Sequence, residues 1–325
     1  MPAPRKPGFQ LEFEAPILHL EAKIREFKQL AEEGGVDLGE EVRRLEERAA
    51  KLRKAVYDHL TPGQKIQIAR HPARPTALDY IQTMTDSFFE MHGDRMGHDD
   101  HAIVGGIGRF EGRSVMFIGH QKGRNTRDNI HRNFGMAHPE GYRKAMRLMR
   151  HAARFGMPIV TLIDTPGAYP GIAAEERGQA HAIAESLALM ATLEVPIVSV
   201  VIGEGSSGGA IGIGMGNRVF MFEHAYYAVI SPEGCAAILW KDPSHATQAA
   251  KILKLTSHDL LDLGVIDAII PEPVGGCHRE AMQSSRSLAR TVSEALEELG
   301  RMNAFQLLEH RHDRYRRMGQ VAEVF

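Results

Sequence analysis

Residues Val195–Gly216 read VPIVSVVIGEGSSGGAIGIGMG, and the fold turns on how this stretch is interpreted. Pro196 opens a β-branched run, Ile197 to Ile202, of the kind that forms a strand buried on both faces of a parallel sheet. The spacing predicts a turn through Gly203-Glu204-Gly205-Ser206-Ser207-Gly208-Gly209, then a small-residue helix over Ala210-Ile211-Gly212-Ile213-Gly214. A glycine turn leaves backbone amides uncovered by side chains and allows a close approach by an anion or by an oxygen gaining charge. Three chemical readings fit. Gly203-x-Gly205-x-x-Gly208, with Glu223 about 20 residues on, matches a dinucleotide fingerprint. Gly205-x-Ser207-x-Gly209 matches a nucleophile elbow. The third reading is an oxyanion hole with no nucleophile. A plain close-packed helix on a sheet is the structural alternative to all three.

The rest of the chain narrows the choice. Its 325 residues can bury a large core in one or two domains, and 43% hydrophobic with 25% charged residues is ordinary for a globular protein. A net charge of −2 gives no field that would steer it to nucleic acid or a membrane. Cys235 and Cys277 are too few for a zinc site of their own, and they set up no disulfide framework. No apolar run is long enough to span a bilayer. The start, MPAPRKPGFQLEFEAP, lacks the apolar segment of a secretion signal, so a cytoplasmic location is expected.

Residues 1–15 are Pro-rich and expected to be extended. Ile17, Leu20, Ile24, Phe27 and Leu30 fall at helical spacing within Pro16–Glu33, and Gly34-Gly35 breaks that helix. Val42, Leu45, Ala49, Leu52 and Val56 mark a second helix over Leu38–Leu60, which gives an antiparallel hairpin ended by Thr61-Pro62-Gly63. A Pro-rich connector, Arg70–Pro75, follows. A helix is expected over Ala77–Met91, then a β-hairpin of Ala102–Gly108 and Arg113–Gly119, a basic loop from Gly119 to Arg127, and a helix over Pro139–Phe155. Pro158–Asp164 reads as a second buried strand, Glu175–Leu193 as one helix, and Arg218–Phe222, Ala225–Ile230 and Val265–Ile270 as short strands. Ser231-Pro232-Glu233 caps a further helix. Helices at 278–299 and 303–318 close the chain. Strand and helix alternate, so the class is α/β with mostly parallel strands. The organisation divides into residues 1–75 (helical hairpin and connector), 76–300 (the main α/β domain) and 301–325 (a C-terminal helix).

Asp164-Thr165-Pro166-Gly167 has the look of a GTPase magnesium loop, but the chain has no Gly-Lys pair to cradle phosphates. The dinucleotide reading expects a long βαβ unit after its glycines, and two short strands follow instead. For the elbow, Asp262, Asp267 and His278 stand in hydrolase order, which among 17 histidines is weak support. More informative is the pairing of two loops. Strand 158–164 ends in Thr-Pro-Gly-Ala, strand 195–202 ends in Gly-Glu-Gly-Ser-Ser-Gly-Gly, and one helical segment joins them. A right-handed crossover makes such strands neighbours and brings both loops to one sheet edge. Two sources of N–H converging on one point stabilise a developing oxyanion with no side-chain acid, base or nucleophile.

DTPGAYPGIAAEERGQ, VIGEGSSGGAIGIG and YAVISPEGCAAILWK, together with HPARPTALDYI and GHQKGRNTRDNIHRNFGMAHPEGYRKA, closely resemble the alpha subunits of bacterial acetyl-CoA carboxylase carboxyltransferases. The resemblance covers nearly the whole chain. It implies a crotonase/Clp-type fold of repeated ββα units making two roughly perpendicular sheets, with the helical hairpin at its N-terminus. One departure stands out, because Ser206 occupies a place where the family pattern leads us to expect glycine. A left-handed backbone there would strain it.

The resemblance further implies an enzyme active only with a beta subunit, in an assembly of two alpha and two beta chains. That enzyme moves the carboxyl group from carboxybiotin, on the biotin carboxyl carrier protein, to acetyl-CoA to give malonyl-CoA for fatty acid synthesis. Biotin carboxylase belongs to the same complex. No cofactor is expected to be bound covalently, no metal is expected on this chain, and zinc is expected on the beta subunit only. Carried over, the amides of Gly208 and Gly209 are the catalytic groups. Gly167, Ala168, Gly205, Ser206 and Ser207 shape the carboxybiotin pocket. Lys122, Arg124, Arg127 and Arg132 read either as contacts to a CoA phosphate or the partner subunit, or as a solvated basic face. His92, His98, Asp99, Asp100 and His101 fit no metal-ligand spacing. Cys235 reads as a buried thiol, Glu204 as a substrate-orienting group or a cap, and Glu175-Glu176-Arg177 as a helix-start ion pair. A crotonase-fold serine hydrolase using Ser206 or Ser207, as in Clp-type proteases, is the alternative.

Overall fold

Eight strands join in one hydrogen-bonded sheet in the computed structural model, which describes residues 9–34 and 37–319. They are β1 (Ser87–Glu90), β2 (Ile103–Phe110), β3 (Arg113–His120), β4 (Ile159–Thr165), β5 (Ile197–Ser206), β6 (Arg218–Phe222), β7 (Tyr226–Ala228) and β8 (Ala268–Ile270). The order is β1-β2-β3-β4-β5-β6-β8, with β7 paired to the far end of β5. β1, β2 and β3 are antiparallel neighbours, and the remaining pairings are parallel. Every residue of β4 and β5 is buried, as expected for strands covered on both faces. In place of the two sheets expected from the ββα repeat there is one, in which β5 has different neighbours at its two ends. Its first half pairs β6 from Val198 to Val201, and its second half pairs β7 from Glu204 to Ser206.

The N-terminal hairpin consists of α1 (Ala15–Gly34) and α2 (Gly39–Tyr57), packed on each other through Leu20, Ile24 and Ala49. It docks through Leu11, Ile17 and Tyr57 against Ile68 of α3 (Pro62–Ala69). Arg279 fastens the joint by donating to Glu14 (3.1 Å) and Glu21 (2.9 Å). Helix α3 is an addition to the sequence reading, which took Thr61-Pro62-Gly63 only as a breaker. Thr61 and Gln64 form a reciprocal capping box around Pro62, so these residues start α3, while α2 has already ended at Tyr57. Of residues 1–15, the first eight lie outside the described residues. Glu12–Glu14 forms a 3-10 turn that leads into α1. Of the Gly34-Gly35 break, Gly35 also lies outside them.

Helix α4 (Ala77–Met84) is shorter than expected, because Thr85 turns extended and Ser87–Glu90 is captured as edge strand β1. Three helices follow in the first half of the sheet: α5 (Thr126–His131), α6 (Pro139–Arg154) and α7 (Ile172–Glu176). Helix α8 (Gln179–Thr192) is separated from α7 by Gly178, whose φ of +83° breaks the single helix expected there. The second half carries α9 (Ser207–Ile211), α10 (Pro232–Trp240), α11 (Ala246–Ile252), α12 (Ser257–Asp262), α13 (Ala281–Leu299) and α14 (Ala304–Arg316). Ser231 caps α10 by accepting from the Gly234 amide (3.1 Å). Helix α14 is bound into the main body by Arg311, which is fully buried. Residues 320–325 of the expected C-terminal helix lie outside the described residues.

Candidate active site at two glycine loops

Strands β4 and β5 are adjacent, so both glycine loops leave the same edge of the sheet. Their register runs evenly from Ile159↔Ile197 to Ile163↔Val201, then shifts so that Thr165 faces Gly205. The bulge follows from one residue. A Cβ on Gly203 would lie 2.5 Å from Asp164 Oδ1, so glycine there admits the carboxylate between the strands. Asp164 Oδ1 accepts from the Glu204 amide at 2.9 Å.

The turn falls later than expected. Gly203 to Ser206 continue the strand, and the chain bends at Ser207, which has φ +55°. The glycines at 203 and 205 therefore serve close approach, since a Cβ on Gly205 would meet the Tyr227 ring at 2.9 Å. Ser206 has φ −129°, so the strain anticipated for a serine at this position does not arise. Its hydroxyl is fully buried and has no partner among the described residues.

Gly208 and Gly209 supply the second and third amides of α9, positions that have no acceptor within their own helix. Gly209 lies directly against the other loop: a Cβ there would sit 2.4 Å from the Gly167 carbonyl carbon and 2.5 Å from the Ala168 nitrogen. A Cβ on Gly208 would meet only the tip of Ile183, at 3.3 Å. Gly167 has φ +153°, and its amide is taken by Thr165 Oγ1 at 3.1 Å. Tyr169 donates its amide to Ala137 (3.0 Å). That leaves the Ala168 amide as the one this loop can present, a distinction the sequence did not show. The structure thus brings Gly167, Ala168, Gly205, Ser206, Ser207, Gly208 and Gly209 into one place.

The four basic candidates do not form one patch. Lys122 is largely buried and donates to Asp164 Oδ1 (2.7 Å) and Glu204 Oε2 (2.5 Å). Arg124 pairs with Asp79 on α4. Arg132 donates to Asp128 (2.9 Å) and the His101 carbonyl (3.1 Å). Arg127 alone is exposed without an acidic partner among the described residues.

Glu204 neither meets the exterior of the site nor caps an amide. Its second oxygen accepts from Arg70 Nε (2.6 Å) and the Tyr226 hydroxyl (2.7 Å). Burial pushes the Glu204 carboxyl up, but Lys122 and Arg70 outweigh it and hold it at about 2. Burial dominates for Asp164, whose pKa is raised despite Lys122. His120, fully buried at the end of β3, is pushed down to about 3 by burial and by the nearby Lys122 charge, so it is neutral at pH 7. Neither of its ring nitrogens has a partner among the described residues.

Other candidates have plain structural partners. Lys144 donates to Asp99 Oδ1 (2.6 Å) and the Asp100 carbonyl (2.7 Å). Asp100 accepts from the amides of Ala102 and His138. Arg177 pairs with Glu140 on α6 (2.7 Å) in place of the expected Glu175 or Glu176, because it sits at the α7–α8 break facing α6. Cys235 and Cys277 are buried in separate clusters. The hydrolase alternative finds no support. Among the described residues no histidine is hydrogen bonded to Ser206 or Ser207. Asp267 is occupied by Arg218, Arg314 and the Val219 amide, and His278 stacks on His71.

Comparison with known proteins identifies the family of the whole chain. Residues 10–319 match the family described as acetyl co-enzyme A carboxylase carboxyltransferase-like. Curated relatives called acetyl-coenzyme A carboxylase carboxyl transferase subunit alpha include one from Nostoc punctiforme, 53% identical over 98% of both chains. Another, from Thermus thermophilus, is 55% identical over 96% of this chain and 99% of its own. Among solved structures, transcarboxylase 12S superposes with a TM-score of 0.58 at 19% identity, over 78% of this chain and 44% of that one. A Pseudomonas malonate decarboxylase hetero-dimer gives 0.59 at 16% identity, over 74% and 95%. These distant structures share the fold alone. The sequence matches go further: the chain belongs to the acetyl-CoA carboxylase carboxyltransferase alpha-subunit family.

Proposed function

We propose that this chain forms the carboxybiotin side of a split carboxyltransferase site and works only with a beta subunit that holds acetyl-CoA. The observation that carries this reading is the seat of Gly209 on Gly167-Ala168, where two loops meet through bare backbone. Carboxybiotin, presented by the biotin carboxyl carrier protein, supplies the carboxyl group, and its ureido oxygen gains negative charge as that group leaves. The amides of Gly208 and Gly209 would hold that oxygen, with Ala168 as the donor from the neighbouring loop. Fixed dipoles aimed where charge develops lower the barrier without tightening the ground state. Malonyl-CoA is the product.

A partner is also favoured by the surroundings of the site. Ile172 follows the first loop, Ile211 ends α9 and Val229 follows β7, and all three stand exposed. The reading places the chain in an assembly of two alpha and two beta subunits, alongside the carrier protein and biotin carboxylase, in the cytoplasm, with zinc on the beta subunit. No helix among the described residues is long and apolar enough to cross a membrane.

The test is malonyl-CoA decarboxylation with biocytin as carboxyl acceptor, run on this chain alone and with its beta subunit. Activity in the mixture only is the expected result. Activity of the chain alone would overturn the division of roles, and silence of the assembled complex would overturn the reaction class.

A further inference from the structure

Three neighbouring strand ends deliver one side chain each to a single buried point. Lys122 follows β3, Asp164 lies on β4 one residue before Thr165, and Glu204 lies on β5 three residues before Ser207. The Lys122 ammonium donates to both carboxylates, at 2.7 and 2.5 Å. Because Asp164 belongs to the strand that carries Gly167-Ala168, and Glu204 to the strand that carries Gly208-Gly209, the lysine ties one glycine loop to the other. We propose that Lys122 is a positioning residue that sets the spacing of the two amide-bearing loops. The proposal rests on the carboxyltransferase reading above.

Three features make the brace stiff. Asp164 Oδ1 also receives the Glu204 amide (2.9 Å), so the strands are joined twice at the same level. Glu204 cannot swing away, because Arg70 and Tyr226 hold its other oxygen. The lysine stem is enclosed as well: Gly135, at φ +80°, comes so close that a Cβ there would lie 3.0 Å from Lys122 Cγ. Without the ammonium, two buried carboxylates would face each other across the strand bulge, and one would have to take up a proton. Oxyanion donors lose effect steeply when displaced, so a small change in loop spacing acts on turnover more than on binding. Acetyl-CoA, held by the beta subunit in this reading, should then bind as before.

The experiment uses the assembled alpha–beta complex, isolated by size exclusion, and the biocytin assay. Lys122→Met is compared with Lys122→Met/Asp164→Asn, which removes the unpaired acid together with the lysine. The expected result for the double variant is a complex that assembles normally, with kcat down at least tenfold and KM for malonyl-CoA within about twofold. For the single variant, kcat relative to the parent should rise as pH falls from 8 to 6, because a proton replaces the missing ammonium between Asp164 and Glu204. A double variant with parental kcat would overturn the proposal. So would its failure to assemble, which would make the lysine a folding residue. If the parent complex itself is inactive, the functional reading fails, and the proposal with it; a parent that turns over with an equally fast double variant sinks the proposal alone.

Discussion

Gly209 sits so close to Gly167 that a Cβ on the first would come within 2.4 Å of the carbonyl carbon of the second. The obstacle is backbone on both sides, and no rotamer change relieves it. Gly209→Ala must therefore separate the loops, and loss of an oxyanion donor typically costs ~3 kcal/mol, or about a hundredfold in kcat. Gly208→Ala meets only the flexible end of Ile183 at 3.3 Å and should lose no more than a few-fold. Kinetics of both variants in the assembled complex decide the matter. Equal effects at the two positions would count against the loop contact as the source of activity.

The two serines give the opposite expectation. The Ser206 hydroxyl is buried without a partner among the described residues, and an unsatisfied buried hydroxyl costs about 1–3 kcal/mol. Ser206→Ala should raise the unfolding midpoint slightly. The double change to Ser206→Ala/Ser207→Ala should leave carboxyl transfer within a few-fold of the parent, since no step assigned to this chain uses a hydroxyl. Abolished turnover in a complex that still assembles would revive the nucleophile.

Where the sequence spoke clearly, it did so through patterns that need no partner in space. The β-branched runs of β4 and β5 and the loops after them mark two adjacent strands and the candidate site at their ends. What it could not show depends on contacts across the fold. Gly203 and Gly205 look like turn residues in one dimension, yet they are strand residues making room for Asp164 and Tyr227. Lys122 looks like part of a basic loop, and only the adjacency of β3, β4 and β5 reveals that Asp164 and Glu204 consume its charge. The Thr61–Gln64 capping box was readable in the sequence but masked by the proline and glycine between its members.

His120 makes the stability of the fold sensitive to acid. Burial, with Lys122 beside it, depresses its folded pKa to about 3, while the unfolded imidazole keeps its ordinary value near 6.5. Between those values the unfolded chain binds a proton that the native chain does not. Stability from this residue is therefore complete above about pH 6.5 and falls by roughly 1.4 kcal/mol for each unit of pH below it. His71 is depressed likewise, by burial first and His278 second, and adds in the same direction. His120→Leu removes one titrating group. Urea unfolding at pH 7, 6 and 5 should show a shallower decline in the variant than in the parent. Parallel declines would mean that His120 is protonated or solvated in the native state.

The last expectation concerns the far end of the sheet. Arg311 is fully buried on α14, and none of the acceptors it reaches is a carboxylate. Its Nη1 donates to the carbonyls of Met190 (2.6 Å) and Leu193 (2.7 Å), and its Nη2 to Val195 (3.0 Å) and Asn217 Oδ1 (2.7 Å). Three of these acceptors are main-chain carbonyls where α8 ends and the chain enters β5, groups that no helix or ladder bond satisfies. A planar fork reaches four acceptors at once, whereas a single ammonium with three donors cannot. Arg311→Met should destabilise by roughly 3 kcal/mol or more, because several buried acceptors lose their donor together. Arg311→Lys should recover less than half of that loss. The clamp touches neither glycine loop, so kcat per assembled complex should stay at the parental value in both variants while thermal stability drops. A fall in kcat as large as that of Gly209→Ala, in complexes that remain folded, would show that the start of β5 is not an independent anchor but part of what sets the loop spacing.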